Sequence, residues 1–443
     1  MHKIFMPDYC KTIIKSLEDK GFEAYLVGGC VRDSVMGITP HDYDITTSAT
    51  PDEMLECFSD FKVIETGVKH GTLTVVIDEN QIEVTTFRID GEYTDFRRPN
   101  SVSFSRDLEE DLSRRDFTIN ALAYNEKTGI VDMFGGLEDI KNEKIRCVGE
   151  PDKRFFEDAL RILRALRFSS TLDFEIEKDT AKSILKNQEL IKNIAVERVF
   201  VEFKKLLCGK RVEQVLLEFR DVFAQFIPEI KPCFDFEQKT KYHCYDVYTH
   251  IVKTVANIKA DEKLRLTAFF HDIGKPQTFF SDENGVGHFY GHNKNSSRIA
   301  KQVLKRLKAD NKTVEDVATN VYIHDREVSL TEKSVKRFLS KYSLQSFYDL
   351  LEIKKADALA HAKEYRDRTD YLQTLYDLSS KIINEKQCFN LKDLALNGYD
   401  LINLGYSGKC VGEALEFLLG EVIDGKVQNE KESLIKHLKD NRR

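Results

Sequence analysis

The stretch that decides the fold is Leu26-Val27-Gly28-Gly29-Cys30-Val31-Arg32-Asp33, followed thirteen residues after Gly29 by Asp42-Tyr43-Asp44. Its apolar start predicts a strand, its two glycines a tight turn, and its remainder the beginning of a helix. Backbone N–H groups at glycines can approach a phosphate because no Cβ intervenes, and a helix N-terminus favours negative charge. Arg32 would add a fork of donors to a triphosphate. Taken alone, two adjacent glycines more often form a simple turn.

The Asp-Tyr-Asp segment adds a pair of carboxylates to this turn. Within a strand predicted over Asp42–Thr46, Asp42 and Asp44 project from the same face. Two carboxylates this close repel each other unless a cation lies between them, and oxygen ligands suit Mg²⁺ bound to substrate phosphates. Glu83 would be a third carboxylate if its strand lies beside this one. Together they match two-metal phosphoryl transfer, whereas an isolated Asp-x-Asp is usually a solvated strand face.

The surrounding patterns predict a mixed α/β head followed by helices. Gly21–Gly29 favours a strand that runs into the Gly-Gly turn. Thr50-Pro51-Asp52-Glu53 is typical of a helix start with a capping box. The alternating segments Thr72–Ile77 and Gln81–Phe87 indicate a hairpin. Strand signals nearly vanish after about residue 150, so the fold class is α+β with an all-α remainder.

Length and composition restrict the function classes. A chain of 443 residues suggests roughly three domains. No apolar run approaches the roughly 18 residues of a membrane span, and no signal peptide is recognisable, so we expect no membrane partner. Nine scattered cysteines without a C-x-x-C pair predict free thiols in the cytoplasm. The net charge of −7 weakens the case for nucleic-acid binding, although 67 Lys and Arg can cluster on one face.

Further motifs make the sequence similar to a known family. Besides the two segments above, three stretches occur in the expected order: Arg114–Ala121, Asp132–Gly136 and Glu157–Phe168. This set resembles the class II tRNA nucleotidyltransferases and bacterial poly(A) polymerases of the polymerase-β nucleotidyltransferase superfamily. The resemblance identifies the three stretches as a ribose and triphosphate motif, a link between head and neck, and a neck helix that selects the incoming base. Ile194–Val199 resembles the family's next helix, interpreted as structural support.

The resemblance implies roles for individual residues. Asp42 and Asp44 would bind Mg²⁺, and Glu83 would help to orient the attacking 3′-hydroxyl. Asp158 and Arg161 would accept C or A without a nucleic-acid template, although an amphipathic helix with intrahelical ion pairs explains the same charges. The residues that the resemblance places at the nucleotide are Gly28, Gly29, Arg32, Asp33, Arg115, Asp116, Asn120, Asp158, Arg161, Arg164 and Arg167.

Two segments bear on which polymerase this is. Thr66–Thr72 resembles the version found in the tRNA enzymes. Asp90–Pro99, within Arg88–Val102, is similar to the flexible loop of enzymes that add the terminal A. The expected function is therefore CCA addition to tRNA from CTP and ATP. Addition of the terminal A alone, a poly(A) polymerase, and a hydrolase with an RNA-binding head remain alternatives.

A second constellation lies in the helical half. His271-Asp272-Ile273-Gly274-Lys275 resembles the central motif of HD-domain phosphohydrolases, with Lys275 able to stabilise a phosphate. Imidazole and carboxylate together suit a divalent transition metal, namely Mn, Fe, Co or Ni. His243 falls outside the ligand pattern and is interpreted as structural. The ligand positions implied by the resemblance are His250, His271, Asp272, His292, His324 and Asp357.

The predicted domain organisation has four parts. They are a head over residues 1–140, a neck and RNA-binding region over 141–230, an HD domain over 231–375, and a helical tail over 376–443. In the tail, Asn397–Leu401 and Gly405–Gly412 resemble the HD-containing members, and Gly408-Lys409 could hold an RNA phosphate or simply start a helix. Arginines concentrated in the head and neck predict a local RNA patch with a modest salt dependence. The oligomeric state stays open.

Overall fold

The computed structural model describes residues 4–91 and 102–441. The chain forms two compact units, one of residues 1–231 with 306–308 and one of residues 232–305 with 309–443. The predicted terminal-A loop falls largely on 92–101, outside the described residues. None of the helices in the described part combines the length and apolar character that a membrane span requires. All nine cysteines lie in the described part, and none forms a disulfide.

The first unit contains a seven-stranded sheet in the order β3-β4-β5-β2-β1-β8-β9. Its neighbouring strands are antiparallel except for the parallel pair β2 and β5. The strands of this unit are β1 (Ala24–Val27), β2 (Asp44–Thr47), β3 (Lys62–Gly67), β4 (Thr72–Ile77), β5 (Asn80–Thr86), β6 (Arg88–Asp90), β7 (Val102–Phe104), β8 (Leu122–Asn125), β9 (Gly129–Asp132), β10 (Lys144–Ile145) and β11 (Glu175–Ile176).

Helices flank this sheet and build the region that follows it. They are α1 (Asp8–Glu18), α2 (Gly29–Val35), α3 (Pro51–Cys57), α4 (Leu108–Ser113), α5 (Gly136–Lys141), α6 (Pro151–Glu157), α7 (Leu160–Leu172), α8 (Lys178–Asn187), α9 (Val196–Leu207), α10 (Val212–Glu218) and α11 (Arg220–Ala224).

Alternation along the strands divides the head core between the two faces of the sheet. Leu26 packs in a cluster with α1 and α3, whereas its neighbours Tyr25 and Val27 pack in a second cluster with α4. Helices therefore pack against both faces of the sheet at β1.

Local sequence signals in the head are confirmed. The predicted hairpin is β4 and β5, joined by Asp78 and Glu79 with φ of 52° and 74°. The predicted capping box is present, since the Glu53 carboxylate accepts the N–H of Thr50 at 2.7 Å.

Other predicted bounds differ from the structure. The strand expected over Asp42–Thr46 is Asp44–Thr47, so Asp42 precedes the strand. The strand expected within Gly21–Gly29 is limited to Ala24–Val27. The neck helix expected through Glu157–Phe168 is broken, because α6 ends at Glu157 and Asp158 is extended with a φ of −138°. Helical periodicity cannot reveal this break, since no proline or glycine marks it.

The second unit is helical apart from one short hairpin, β12 (Phe280–Ser281) with β13 (Gly287–His288). The helices are α12 (Val247–Asn257), α13 (Glu262–Phe270), α14 (Lys275–Thr278), α15 (His292–Arg306), α16 (Asn311–Ile323), α17 (Glu332–Lys341), α18 (Leu344–Leu359), α19 (Thr369–Asn384), α20 (Gly398–Asn403), α21 (Lys409–Ile423) and α22 (Lys431–Asp440). The last three form a separate apolar cluster with residues 388–396.

Candidate active sites

The turn between β1 and α2 brings the backbone close to an arginine. Gly28 adopts a φ of +79° and donates its N–H to the carbonyl of Leu122 at 3.0 Å. A Cβ at Gly28 would lie 3.2 Å from Nη1 of Arg115. Because the sheet already uses the Gly28 amide, this glycine serves to admit Arg115, and the amide that opens the helix belongs to Gly29.

The three candidate catalytic carboxylates lie together at the parallel pair β2 and β5. Asp44 opens β2 and pairs in register with Glu83 of β5, which confirms that the strand of Glu83 lies beside the Asp-Tyr-Asp segment. Asp42 and Asp44 are exposed while Tyr43 between them is buried, so both carboxylates point away from the core.

The charges around Asp44 favour a cation. Desolvation and repulsion from Glu83 and Asp42 raise the pKa of Asp44, whereas Arg115 lowers it. A divalent cation would relieve this repulsion, and carboxylate oxygens are the ligands that Mg²⁺ prefers. The residues present therefore fit the predicted magnesium site.

The buried Asp111 fixes the position of Arg115. Its Nη2 donates to Oδ2 of the buried Asp111 at 3.1 Å, and Asp111 also binds Arg114. Although burial alone would raise it, the two arginines lower the pKa of Asp111, so this carboxylate is charged. Nε of Arg115 is buried without a hydrogen bond to any described residue. Arg115 thus retains donor capacity next to Gly28.

Several predicted binding residues form one hydrogen-bonded chain. Nη1 of Arg32 donates to Oδ1 of Asn120 at 2.6 Å, and Nδ2 of Asn120 donates to Oδ1 of Asp116 at 3.0 Å. Nε of Arg164 donates to Oδ2 of Asp116 at 2.7 Å, and Arg32 also binds Asp33 at 2.7 Å. The structure brings these five residues together, with many of their donors used within the protein.

Asp158 and Arg161 have different partners. Oδ1 of Asp158 accepts the N–H of Leu160 at 3.0 Å, and its Oδ2 accepts Nη2 of Arg198 at 3.2 Å. Arg161 binds Glu157 at 2.7 Å, as its i,i+4 spacing predicts. The expected neck helix would include both residues, but Asp158 lies before α7 and its carboxylate contacts Arg198, which belongs to the segment interpreted as structural support.

The ring of Phe168 lies close to arginines of both the head and the neck. The guanidinium carbons of Arg32, Arg164 and Arg167 lie 5.1, 5.2 and 3.7 Å from the centroid of the Phe168 ring. Nε of Arg167 also donates to Glu202 at 2.6 Å. The neck motif implies no separate role for Phe168, although one aromatic residue among regularly spaced arginines is the signal that could have revealed these contacts.

In the second unit, four histidines present one ring nitrogen each to a common centre. The Nδ1 atom of each histidine lies near a backbone carbonyl. The distances are 2.7 Å from His271 to Ala268, 2.9 Å from His292 to Phe289, 2.6 Å from His324 to Val321 and 3.4 Å from His250 to Ala360. A donated Nδ1–H leaves Nε2 as a lone-pair donor, which is how proteins orient metal-binding imidazoles. The four are His250, His271, His292 and His324.

These Nε2 atoms form two pairs joined by Asp272. The Nε2 atoms of His250 and His271 are 3.3 Å apart, and those of His292 and His324 are also 3.3 Å apart. Oδ2 of Asp272 lies 3.2 Å from His271, and Oδ1 lies 3.3 Å from His292. Oδ1 is buried without a hydrogen bond among the described residues. Nε2 lone pairs and a carboxylate oxygen that face each other at these distances repel unless a cation lies between them. This set of nitrogen and oxygen donors therefore fits transition-metal binding.

Carboxylates and a lysine complete this centre. Asp357 lies 2.9 Å from Nε2 of His250, and Lys275 lies 2.6 Å from Asp272. Burial would raise the pKa values of Asp272 and Asp357, but the surrounding histidines keep both pKa values well below the ordinary range. Lys275 also lowers the pKa of Asp272. All six predicted ligands therefore meet in one place.

Two histidines beyond the predicted set line the same cavity of about 330 Å³. His361 lies 3.5 Å from Asp357, and the rings of His243 and His361 meet edge to face at 4.6 Å. Burial lowers the pKa of His243 to about 2, which keeps it neutral. The i,i+4 spacing of Asp357 and His361 is the signal that could have identified the latter.

Known protein families match three parts of the chain. Residues 24–146 match the model described as "Poly A polymerase head domain". Residues 173–234 match "Probable RNA and SrmB- binding site of polymerase A", and residues 288–438 match "tRNA nucleotidyltransferase domain 2 putative".

Similar proteins cover almost the whole chain. The CCA-adding enzyme of Ligilactobacillus salivarius is 36% identical over 98% of this chain and 97% of its own length. The Bacillus stearothermophilus CCA-adding enzyme, solved in complex with CTP, is 30% identical with a TM-score of 0.75 and 98% coverage of both chains. The Thermotoga maritima CCA-adding enzyme, solved with tRNA, shares the fold at 22% identity, a TM-score of 0.63, and coverage of 99% of this chain and 97% of that one.

Proposed function

Because the chain belongs to the family of CCA-adding enzymes, we propose that it adds C, C and A from CTP and ATP to the 3′ end of tRNA by two-metal nucleotidyl transfer. The observation that carries this proposal is the grouping of Asp42, Asp44 and Glu83 where β2 begins beside β5. Gly28 and Arg115 adjoin the same place, where a triphosphate would need positive charge.

Each group of residues in the head has a different role in the proposed reaction. Mg²⁺ held by Asp42 and Asp44 would supply charge that binds the triphosphate and stabilises departing pyrophosphate. Glu83, adjacent to Asp44, orients the 3′-hydroxyl of the RNA. Arg115 binds the triphosphate from the side opposite Asp111, and Arg32 extends this positive surface.

The neck selects the base. The Asp158 carboxylate accepts hydrogen bonds, and Arg161 donates them, so together they complement the polar edge of a cytosine or adenine. Arg198 acts as a positioning residue, because its 3.2 Å contact fixes the direction of the Asp158 carboxylate. A protein surface of fixed donors and acceptors can discriminate bases in this way without pairing.

A tRNA that lacks its 3′ CCA tests this proposal when it is incubated with CTP, with ATP, and with both. We expect addition of a defined CCA trinucleotide and then a stop. Asp42→Ala should abolish incorporation, while Asp60→Ala, which removes an exposed head carboxylate outside the site, should retain it.

Other outcomes would favour the alternatives. A long product with ATP alone would identify a poly(A) polymerase, and extension of only those tRNAs that already end in CC would identify addition of the terminal A. Full incorporation by Asp42→Ala would contradict the carboxylate assignment.

We also infer that the second unit hydrolyses phosphate esters of nucleotides, including 2′,3′-cyclic phosphates. The supporting observation is the convergence of four Nε2 atoms on Asp272, with Lys275 beside it. A divalent transition metal held by these ligands would supply Lewis-acid catalysis at phosphorus. Lys275 and Gln238, joined at 2.8 Å, fix the Asp272 carboxylate, and the open cavity admits the phosphate.

Hydrolysis of 2′,3′-cyclic AMP in the presence of Mn²⁺, Co²⁺ or Ni²⁺ tests this activity. We expect turnover by the wild type and by Asp42→Ala, and loss of turnover in His292→Gln. A matched control is His437→Gln, which alters a histidine of the tail helix α22. Turnover that survives both chelation and His292→Gln would contradict the assignment.

A further inference from the structure

The rim of the histidine and aspartate cavity carries an exposed aromatic surface. Phe280, His288 and Tyr290 form a cluster, with ring centroids 5.0 Å apart for Phe280 and His288 and 5.5 Å apart for His288 and Tyr290. Tyr290 is 74% exposed and Phe280 is 46% exposed. We define these three residues as the rim cluster.

Strand alternation gives the hairpin two different faces. Phe279 and Phe289 pack against each other at 5.5 Å, and Phe289 also lies 5.3 Å from Nζ of Lys275. Phe280 and His288 are next to them in sequence and point the opposite way along the strands, and Tyr290, in the turn that follows, stacks on His288. Phe280 and His288 are paired in register, so their contact can be explained as a cross-strand pair that stabilises the hairpin. Tyr290 lies beyond the strand, so strand pairing does not account for its place in the cluster.

The rim cluster is tied to the metal ligands. Gly287 donates its N–H to the carbonyl of Lys239 at 2.9 Å, and a Cβ on Gly287 would lie 2.2 Å from the carbonyl of Gln238. Gln238 in turn accepts a hydrogen bond from Lys275, which binds Asp272. The hairpin therefore has a fixed position relative to Lys275 and Asp272.

We propose that Tyr290, supported by the rest of the rim cluster, is a stacking surface for the base of a nucleotide whose phosphate lies at the histidine and aspartate centre. This inference rests on the proposed phosphohydrolase activity and assigns its base-binding subsite. Tyr290 lines the same cavity as Asp272, His292 and Lys275, so one ligand can contact both regions. Every base has a π-face, and stacking on a tyrosine ring tolerates different bases.

Kinetics of the holoenzyme test the subsite. Tyr290→Leu should raise the KM for 2′,3′-cyclic AMP about tenfold with little change in kcat, because leucine removes the ring on which the base stacks and leaves the phosphate contacts in place. Inhibition by adenosine 2′-monophosphate should weaken by the same factor, whereas inhibition by inorganic phosphate, which has no base, should stay unchanged. Tyr376→Leu, a half-exposed tyrosine of α19, is the control and should match the wild type. Equal weakening for both inhibitors, or no change for either, would overturn the proposal.

A second readout does not require turnover. Photolabelling with 8-azidoadenosine 2′-monophosphate should modify a peptide within residues 279–294 of the Mn²⁺-loaded full chain. Labelling only elsewhere would overturn the proposal whether or not hydrolysis occurs. Labelling of this peptide without any hydrolysis would support the stacking subsite and contradict the phosphohydrolase activity, so the two failures are distinguishable.

Discussion

At the scale of single residues, Gly28 joins backbone conformation to the chemistry of the head. Its φ of +79° is unfavourable for any residue with a Cβ, and its own missing Cβ leaves room for Nη1 of Arg115. Gly37 offers a matched control, because its φ is +74° but no atom lies within 4 Å of the added Cβ.

We predict that Gly28→Ala and Gly37→Ala both destabilise the protein by ~1–2 kcal/mol, from backbone strain. Only Gly28→Ala should also raise the KM for CTP and ATP, since it displaces Arg115. Urea unfolding and steady-state incorporation kinetics measure the two effects separately. A KM that rises equally in both variants would show that strain alone is responsible.

Substitution can separate the structural role of Asp158 from its proposed role in base recognition. Asp158→Ala removes both the hydrogen bond to Leu160 and the carboxylate that would face the base, whereas Asp158→Asn keeps an oxygen for the former. We predict that both variants alter the choice between CTP and ATP more than they slow incorporation, and that only Asp158→Ala also loses ~1 kcal/mol of stability.

Competition between CTP and ATP for a tRNA ending in CC measures this selection. Glu189→Ala, which removes an exposed neck carboxylate, should select as the wild type does. Unchanged selection in both Asp158 variants would refute the recognition role.

At the scale of elements, α7 is attached to the head by charge as well as by apolar packing. Arg164 reaches from α7 to the buried Asp116, 2.6 Å from its carboxylate. Burial alone would raise the pKa of Asp116, but Arg164, Asn120 and Arg161 lower it to about 2. The folded protein therefore binds this proton less tightly than the unfolded chain, in which the pKa is near 3.8.

The sign of the pH dependence follows from this difference. The contribution of Asp116 is fully present above about pH 4 and is lost as the pH falls through about 2. At 1.36 kcal/mol per pKa unit it amounts to about 2 kcal/mol. We predict that Asp116→Asn loses about this much stability at pH 7 and that the difference from the wild type shrinks below pH 4.

Chemical unfolding at pH 7, 4 and 3 checks this prediction. Asp60→Asn, at an exposed head position, should remain within about 0.5 kcal/mol of the wild type throughout. A constant deficit of Asp116→Asn at every pH would show that packing, rather than charge, links α7 to the head.

The same elements show what sequence could and could not predict. Alternation and turn residues correctly predicted the hairpin of β4 and β5 and the neighbourhood of Glu83, because both depend on local pattern and on one strand pairing. The break at Asp158 depends on a tertiary contact with Arg198, which no local pattern contains. Likewise, the convergence of six ligands in the second unit followed from motif resemblance, whereas the contribution of His243 required coordinates.

At the scale of the whole molecule, where the net charge is −7, internal ion pairs use part of the positive charge of the neck. The neck arginines expected to create a basic patch are partly neutralised by Glu157, Asp116 and Glu202. Few cations therefore remain for RNA phosphates in this region. This pairing is consistent with the modest salt dependence expected from the sequence, because each phosphate contact contributes about −0.7 to −0.9 to the slope of log K against log salt.

The division into two compact units predicts that metal binding stabilises them separately. With the head site removed by Asp42→Ala, Mn²⁺ can act through the histidine and aspartate centre alone. Binding at 100 times the dissociation constant stabilises a folded unit by about 2.7 kcal/mol. For a domain of this size, that corresponds to a rise of about 5–10 °C in Tm. We predict such a rise in one calorimetric transition, with slower hydrogen exchange in α12, α13 and α16, which carry or adjoin His250, His271 and His324.

His292→Gln in the same background should remove most of the rise in Tm, whereas His437→Gln should not. An equal rise in all three proteins would mean that Mn²⁺ binds elsewhere, because the ligands that converge on Asp272 would then contribute nothing to its affinity.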